Sequence, residues 1–387
     1  MHVCMPYNMN MSHPELWGDS CLFLVRKRLR KFIWQVIRSR LNLHRLPKAH
    51  YMQKHQATIK EIAQALNVSV STVSRALKHD PRIGLRTRNR VQELAKQLHY
   101  VPNPGAVQLR KHRTLTIGVV LPSLQEEFFS MALTGIEDVL SENGYNVLVS
   151  QSREQQEREQ KIIDSFIRSR VDGVIASVSA TTSTGEHFKI LQEFGIPIVF
   201  FDRAPTDLPA HRVRCNVLDG MRKAMHYLVV TKGLRDIALL NGPPALEISR
   251  ERFAGFQKAV EMLGLQIPET YLKTVDLSEA DTCANMEALC SSGTPPQAIL
   301  AFNDYVALHA MQWCKRHGLV PNKDITFVSF ANLPITAYMD NPPAASIEQF
   351  AMEMGVQAAG ILLEALLAEE ELPFREVVLE TVLVVHG

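Results

Sequence analysis

Few features of secreted, membrane-spanning or metal-binding proteins occur in this sequence. The chain of 387 residues has only six cysteines, none in a C-x-x-C pair, and its histidines show no zinc-ligand spacing. The longest early apolar run, Cys21–Val25, is far shorter than the ~18 residues of a membrane-spanning helix. A basic stretch follows it without a small-residue cleavage site, so we expect no signal peptide. These absences favour a cytoplasmic protein without a metal site.

Sequence motifs of common enzyme classes are also missing. The chain has no G-x-S-x-G nucleophile motif, no phosphate-binding loop, no H-E-x-x-H and no dinucleotide fingerprint. We therefore expect neither catalysis nor a bound cofactor.

Charge is divided unevenly along the chain, although the net charge is only +2. Residues 1–52 carry 9 Lys and Arg against 2 Asp and Glu, and residues 53–113 carry 12 against 3. Residues 114–387 carry 21 against 35. A basic front on an acidic body is typical of a nucleic-acid-binding head, although a solvated basic face has the same composition.

Residues 1–51 have a weak pattern and precede Met52, shortly after which the recognisable helices begin. We interpret this segment as a basic extension, and a start codon misassigned upstream of Met52 explains it most simply.

Two short helical patterns joined by a tight turn begin at Thr58. A T-x-x-E capping box places the start of the first helix there. Asn67 can adopt the left-handed conformation that turns the chain, and Ser69 can cap the second helix. This arrangement predicts a helix-turn-helix, with a third helix over about 87–99. Residues 52–102 form this small all-α domain.

The second of these helices is the candidate recognition helix, whose N-terminal residues would face base edges in the major groove. Val70, Ser71 and Arg75 are its exposed candidates, and Arg75 could bind guanine O6 and N7 or contact only phosphate. The other polar residues are expected to contact phosphate or cap helices: Thr58, Ser69, Thr72 and Ser74.

A third pattern, over residues 103–113, predicts a hinge helix and linker. Asn103 can cap a short helix whose first residue is Pro104. Leu109 lies on this helix among polar and basic residues, and Arg110 is placed to contact phosphate.

Residues 114–387 alternate between apolar strands and amphipathic helices. Buried strands separated by helices predict parallel sheets, and about 270 residues suffice for two α/β lobes. The expected strands are Leu115–Leu121, Asn146–Ser150, Gly173–Ser177, Pro197–Phe201, Ile237–Asn241, Ala298–Ala301 and Ile325–Phe330.

Motifs of the head and the body occur in an order that is typical of one family. In the head they are the runs Thr58–Leu77, Arg90–Ala95 and Leu98–Asn103. In the body they are Leu115–Leu121 with Phe128-Phe129, Val171–Ile175, Ile196–Arg203, Arg252–Phe256 and Asn303-Asp304. Over about 58–385 the chain therefore resembles the lactose-repressor/galactose-repressor family of bacterial transcription regulators.

The resemblance implies a helix-turn-helix head, a hinge helix and a two-lobed body like the periplasmic sugar-binding proteins. It implies a homodimeric, sequence-specific DNA-binding regulator, a repressor of carbohydrate-use genes on a palindromic double-stranded operator. Leu109 would wedge into the minor groove, or alternatively pack between two hinge helices. Crossings between the lobes are expected near Arg212–Asn216, near Ala331–Asn341 and near the C-terminus.

The resemblance also implies that a sugar or sugar derivative binds between the lobes. Aromatic faces and polar groups at strand ends suit such a ligand. The candidates are Phe128, Phe129, Asp202, Arg203, Arg252, Asp304 and Asn332. Alternatively, the two phenylalanines pack in the core and Arg252 forms a salt bridge at a helix start.

The sequence departs from the family at three points. Asn216-Val217 stands where many members have acidic or amide residues, Ser329–Asn332 replaces the common Gly-Phe-Asp, and Gly84 replaces a capping serine. A sugar-binding protein without a gene-regulatory role and an enzyme on the α/β body are the alternative functions.

Overall fold

The computed structural model describes residues 57–100, 113–291 and 294–386. The chain divides into two compact units after Asn103, called here the head and the body. The extension 1–51 and the hinge candidates Asn103, Leu109 and Arg110 lie outside the described residues. Across those described ranges, no helix is both long and apolar enough to cross a bilayer.

The described part of the head, residues 57–100, contains the helices α1 (Ile59–Leu66), α2 (Val70–Leu77) and α3 (Leu85–Gln97). The capping box is confirmed, because the Thr58 hydroxyl accepts from the N–H of Glu61 while the Thr58 N–H donates to the Glu61 carboxylate at 2.7 Å. Asn67 ends α1 with a φ of 51°, which is the predicted left-handed turn. The fully or nearly fully buried core consists of Ile62, Ala63, Val73, Ala76, Val91 and Ala95.

The first lobe of the body is built on a wholly parallel sheet of order β11-β5-β4-β3-β1-β2. Its strands are β1 (Thr116–Leu121), β2 (Asn146–Gln151), β3 (Gly173–Ala176), β4 (Ile198–Phe201), β5 (His211–Cys215) and β11 (Glu376–Leu379). Its helices are α4 (Glu127–Glu142), α5 (Gln156–Arg168), α6 (Glu186–Glu193) and α11 (Ala351–Leu367).

The second lobe has a sheet of order β12-β10-β9-β8-β6-β7, parallel except for its edge strand β12. Its strands are β6 (Ile237–Asn241), β7 (Leu272–Thr274), β8 (Ala298–Ala301), β9 (Thr326–Ala331), β10 (Ala345–Glu348) and β12 (Val382–Val385). Its helices are α7 (Val217–His226), which continues as a π-helix over Tyr227–Thr231, α8 (Glu247–Met262), α9 (Glu279–Ser291) and α10 (Asp304–Arg316). Short 3-10 helices occupy Glu269–Tyr271 and Pro334–Tyr338.

The chain crosses between the lobes three times, and one predicted crossing is wrong. The first crossing follows β5 at Asn216, and the last lies between β11 and β12, as expected. Residues 331–341, however, stay in the second lobe, because β10 pairs with β9 there. The chain leaves that lobe only after Glu348.

Close helix packing fixes the second crossing. Helix α11 lies so near α4 that a Cβ added at Gly135 would be 2.2 Å from the carbonyl oxygen of Met352. A Cβ at Gly355 would likewise be 2.0 Å from the carbonyl oxygen of Ala132. The helix that follows the second sheet is therefore held against the first lobe by two glycines.

Candidate functional site

Helix α2 presents the recognition surface of the head. Val73 and Ala76 are buried, whereas Val70 is 43% exposed and Ser71 and Arg75 are also exposed. The face predicted to read bases is therefore the face turned away from the core of the head.

Ser69 organises the start of this helix. Its hydroxyl accepts from the N–H of Thr72 at 3.1 Å and lies 2.8 Å from the hydroxyls of both Ser71 and Thr72. Ser69 and Thr72 thus act first as capping residues, and Ser71 is held in the same hydroxyl cluster. Ser74, the remaining serine of this set, is half-buried.

Arg75 differs from Arg82 and Arg88 because no hydrogen bond holds its guanidinium within the described head. Arg82, in contrast, is paired with Asp80 at 2.7 Å, and its hydrogen bonds lower the pKa of that carboxyl to about 2. Arg88 is also engaged, since it donates to the carbonyl oxygens of Asp80 and Ile83. Arg75 is the arginine of this group that remains available to a base edge.

A narrow cavity lies between the two lobes of the body, where the carboxyl ends of strands from both sheets meet. The centre of a water molecule can move through only about 30 Å³ of it. The lining residues are Glu126, Phe128, Phe129, Asp202, Arg203, Ile248, Arg252, Phe302, Asn303, Tyr305, Ala331, Leu333 and Gln349. Five of the seven predicted effector residues are among them: Phe128, Phe129, Asp202, Arg203 and Arg252.

The two phenylalanines serve both the cavity and the core. Phe128 and Phe129 are buried, with ring centroids 5.4 Å apart in an edge-to-face arrangement. Phe129 also packs edge-on against Phe201 of β4 at 6.4 Å. The cavity wall that they form is therefore also part of the packed core.

Arg203 is buried on the first-lobe side and is already neutralised. Its guanidinium donates to both carboxylate oxygens of Glu154, at 2.9 and 3.1 Å, and lies 5.2 Å from the centroid of the Phe129 ring. The neighbouring Asp202 carboxylate approaches Arg203 only to 3.7 Å, and its side chain is 7% exposed. Burial raises the pKa of Asp202, partly offset by the charges of Arg203 and Arg252.

Arg252 is buried on the second-lobe side, between two aromatic rings. Its guanidinium carbon lies 4.2 Å from the Phe302 ring centroid and 4.3 Å from that of Phe330. Two of its nitrogens donate to the Phe302 carbonyl and to Gln349 Oε1, and its buried Nε has no partner in the described structure. Burial lowers the pKa of Arg252 to about 10. Among the described residues no salt bridge involves Arg252, so they do not provide the ion pair at the helix start that was the alternative.

Asp304 and Asn332 do not line this cavity, contrary to prediction. Asp304 is fully buried behind it and accepts from the Leu333 N–H at 2.6 Å, from Ser346 Oγ at 2.9 Å and from Ser329 Oγ. Asn332 donates to Glu348 at 2.7 Å. Asp304 therefore fastens the start of α10 to β9 and β10.

Four lining residues carry polar groups that sequence reasoning missed. They are Glu126, Asn303, Tyr305 and Gln349. Asn303 caps α10 by accepting from the Val306 N–H at 2.9 Å, so its place next to Asp304 in the matched pair was the available signal. Glu126 is partly buried, and desolvation raises its pKa to about 7, with Arg203 opposing the shift.

Contacts beside the cavity connect the two lobes directly. The Tyr305 hydroxyl donates to the Gln125 carbonyl at 3.2 Å, and the Glu127 carboxylate accepts from the Ile335 N–H at 3.2 Å. An ion pair joins Arg214 to Glu251 at 3.1 Å. A ligand in the narrow cavity would therefore lie beside contacts that join the two lobes.

Two family models match the chain. The model for the periplasmic binding proteins and sugar binding domain of the LacI family matches residues 114–379. The model for bacterial regulatory proteins of the lacI family matches residues 58–103.

Curated relatives from Escherichia coli (strain K12) extend over most of the chain. The HTH-type transcriptional repressor CytR is 29% identical over 313 residues, which are 81% of this chain and 90% of that protein. The Ribose operon repressor is 29% identical over 308 residues, which are 79% of this chain and 92% of that protein.

Two solved structures of regulators are also similar to this chain. A lac repressor dimer bound to operator and the anti-inducer ONPF has a TM-score of 0.73 at 25% identity and covers 85% of this chain and 98% of that one. A complex of the transcriptional regulator CelR with cellobiose has a TM-score of 0.63 at 25% identity, covering 85% and 99%. With a helix-turn-helix head and a periplasmic-binding-protein-like body, this chain is a member of the LacI family of bacterial regulatory proteins.

Proposed function

We propose that this regulator is a cytoplasmic repressor of carbohydrate-use genes, and that a sugar-like ligand between the lobes of its body controls its grip on a palindromic operator. The cavity between Arg203 and Arg252 is the observation that supports a ligand at this position. Buried polar groups and phenyl rings converge there from both sheets. Aromatic and apolar walls with a few well-placed polar groups are the usual composition of a small-molecule site.

Control of DNA binding needs a ligand that prefers one arrangement of the lobes over another. The contacts Tyr305–Gln125 and Glu127–Ile335 hold the lobes together beside the cavity. A ligand that replaces or reinforces these contacts changes the balance between open and closed bodies.

In the head, the exposed Arg75, Val70 and Ser71 are the proposed base contacts. Ser69, Thr72, Ser74 and Thr58 would orient α2 on the phosphates. Two copies of the chain would place two such helices on the two half-sites of a palindrome.

Two other functions are less well supported. The recognition surface on α2 has no use in a plain sugar-binding protein. A hydrolase of the serine type would need a nucleophile beside a base, and the buried cluster of Ser179, Glu159 and His187 does not supply one. Ser179 Oγ donates to Glu159 at 2.8 Å, and the His187 ring also binds Glu159 rather than the serine.

The test uses the full chain. An operator is first selected from random duplex DNA, and its affinity is then measured by fluorescence anisotropy with and without members of a sugar library. We expect a high-affinity operator and at least one sugar that changes operator affinity about 10-fold or more, as typical couplings do. The proposal fails if no sequence is preferred, if no ligand changes the affinity, or if a bound sugar is chemically converted.

A further inference from the structure

A second cavity lies in the first lobe, at the end of its sheet opposite to the cavity between the lobes. It is bounded by the amino ends of β4 and β5, by the residues that precede β11 and by the last turn of α11. The centre of a water molecule can move through about 300 Å³ of it, against about 30 Å³ between the lobes. A molecule the size of a single ring therefore has room here.

The walls of this second cavity are mainly apolar. Its apolar lining residues are Ile196, Pro197, Ile198, Ala365, Leu372 and Phe374. Phe374 remains 50% exposed, although it is a large aromatic side chain. A ligand that covers this surface removes apolar area from water, which favours binding.

His211 adds a fixed polar group to these apolar walls. The residue is only 6% exposed, and its Nδ1 accepts a hydrogen bond from the Arg375 N–H at 3.1 Å. Its ring also packs edge-on against Phe374, with centroids 5.6 Å apart. The other ring nitrogen, Nε2, has no hydrogen-bond partner among the described residues and is not fully enclosed by them. The ring is thus held in one orientation, with Nε2 left for a ligand.

The contact with Arg375 determines which nitrogen of His211 carries the proton. Because Nδ1 accepts, the proton of the neutral ring is on Nε2, which is then a donor. Burial lowers the pKa of His211, and the charge of Arg375 lowers it further, while Glu364 opposes the shift. The neutral ring therefore presents an N–H group whose complement is a hydrogen-bond acceptor.

The charge around the second cavity favours a ligand without a charge of its own. Among the described residues that line it there is no lysine or arginine to neutralise an anion, and the exposed Glu371 would repel one. A cation would meet the N–H of His211 rather than an acceptor at the buried end. Burying a charge without a partner is costly in either case.

We infer that the second cavity is a ligand site, and that its ligand is an uncharged, mainly apolar molecule of about one ring that directs a hydrogen-bond acceptor to His211 Nε2. His211 would select for the acceptor, and Phe374 would cover the ring. The inference goes beyond the proposed function and does not depend on it, because the two cavities share no lining residue.

The first experiment measures the binding of small probes to the full chain by ligand-observed NMR near pH 7.5. Acetophenone is the uncharged ring with an acceptor, and benzoate and benzylammonium are ionised molecules of similar size. We expect acetophenone to bind and both ions to bind more weakly. Tighter binding of either ion overturns the inference. So does a dissociation constant for acetophenone above about 10 mM, which is weak even for so small a molecule.

The second experiment tests the donor with His211→Asn. Asn keeps an oxygen that can accept from the Arg375 N–H, but it has no group at the position of Nε2. Ethylbenzene, which has the same ring without an acceptor, is the reference ligand. The affinity for acetophenone relative to ethylbenzene should decrease about 3- to 10-fold, which corresponds to one hydrogen bond. A general disturbance of the cavity would weaken both ligands and leave this ratio unchanged, and an unchanged ratio contradicts the inference.

The third experiment tests the position of the ligand with two matched variants. Phe374→Ala should weaken acetophenone and ethylbenzene about 3- to 10-fold each, because an aromatic wall is lost. Phe194, at the end of α6, is 61% exposed and does not line the second cavity, so Phe194→Ala should change neither affinity. Equal losses in the two variants, or no loss in Phe374→Ala, would mean that the ligand binds elsewhere. The response of operator binding to sugars is measured separately, so the proposed function stands or fails independently of these results.

Discussion

The head and the body hold their candidate functional groups in opposite environments. In the head, Arg75 and Val70 are exposed on a helix whose other face makes the core. In the body, Arg203 and Arg252 are 4% and 3% exposed, and each is already engaged by neighbours. The polar groups of a DNA-binding surface stay hydrated until DNA binds. The polar groups of a buried pocket lose their hydration when the protein folds, which costs free energy of folding. Substitutions of the buried polar groups of the body should therefore affect stability as well as binding, while substitutions on the exposed face of α2 should affect binding alone.

Asp304→Ala should have the largest effect. It tests whether a buried polar group of the body stabilises the fold. It removes the acceptor of three buried donors: the Leu333 N–H, Ser329 and Ser346. We expect the free energy of unfolding of the body to decrease by about 2–3 kcal/mol, because buried donors are left unsatisfied. Thermal unfolding of the full chain measures it.

The control for Asp304 is Asp138→Ala, an exposed position on α4 whose loss should change stability by less than ~0.5 kcal/mol. If Asp304→Ala left stability intact but removed the response to the ligand, Asp304 would be a ligand residue after all.

Asp202 and Asp304 show why the cavity residues could be predicted only in part from the sequence. Each lies shortly after a predicted strand, so the sequence pattern predicts the same ligand-binding role for both. The structure separates them because Ser346 and Leu333, distant in sequence, provide donors to Asp304 and none to Asp202. Which aspartate faces the cavity thus depends on partners 29 and 42 residues away.

The fold was more predictable where the signal is local. The caps at Thr58 and Ser69 need partners only three residues away, and they were found. The seven predicted strands are mainly apolar runs, and they were also found. Strand β5 alternates arginine with buried residues, and β10 has only four residues after two prolines, so neither was recognised as a strand. Missing β10 is what displaced the predicted second crossing.

Arg252→Ala tests whether a buried polar group of the body also binds the ligand. We expect ligand affinity to decrease about 10- to 150-fold, from the loss of roughly 1.5–3 kcal/mol for a charged hydrogen bond. Operator affinity without ligand should be unchanged, because the head is a separate unit. Anisotropy titrations with operator and ligand measure both.

The matched control for Arg252 is Arg250→Ala on the same helix. Arg250 is exposed and donates to the carbonyl oxygens of Pro244 and Ala245 outside the cavity. An equal loss of ligand affinity in both variants would place the ligand elsewhere.

Arg75→Ala tests the head. A lost bidentate base contact should cost about 1–3 kcal/mol on the operator and much less on random DNA. Arg86→Ala, an exposed arginine on α3, should weaken binding to both DNAs alike. Equal losses on operator and random DNA for Arg75→Ala would make it a phosphate contact. A decrease in the stability of the head would also break the comparison, because Arg75 is not part of its core.

The smallest expected effect is a gain in stability confined to the head. Gly84 is the N-cap of α3, has an extended backbone with φ −56° and ψ 144°, and makes no side-chain cap. A Cβ there would meet no atom within 4 Å, so a side chain fits without strain. Gly84→Ser should add a hydroxyl acceptor for a free N–H of the first turn and restrict the unfolded chain. We expect the head to gain about 0.5–1 kcal/mol.

Hydrogen exchange of the α3 amides in the full chain measures this gain, since local opening of the head is reported there rather than by the unfolding of the body. Gly84→Ala separates the two causes: it restricts the unfolded chain equally but cannot cap, so it should stabilise less than serine. Slower exchange in α3 with unchanged exchange in the body would show that the two units are stabilised independently. Equal protection by Ala and Ser would mean that the missing hydroxyl at this cap costs the head nothing.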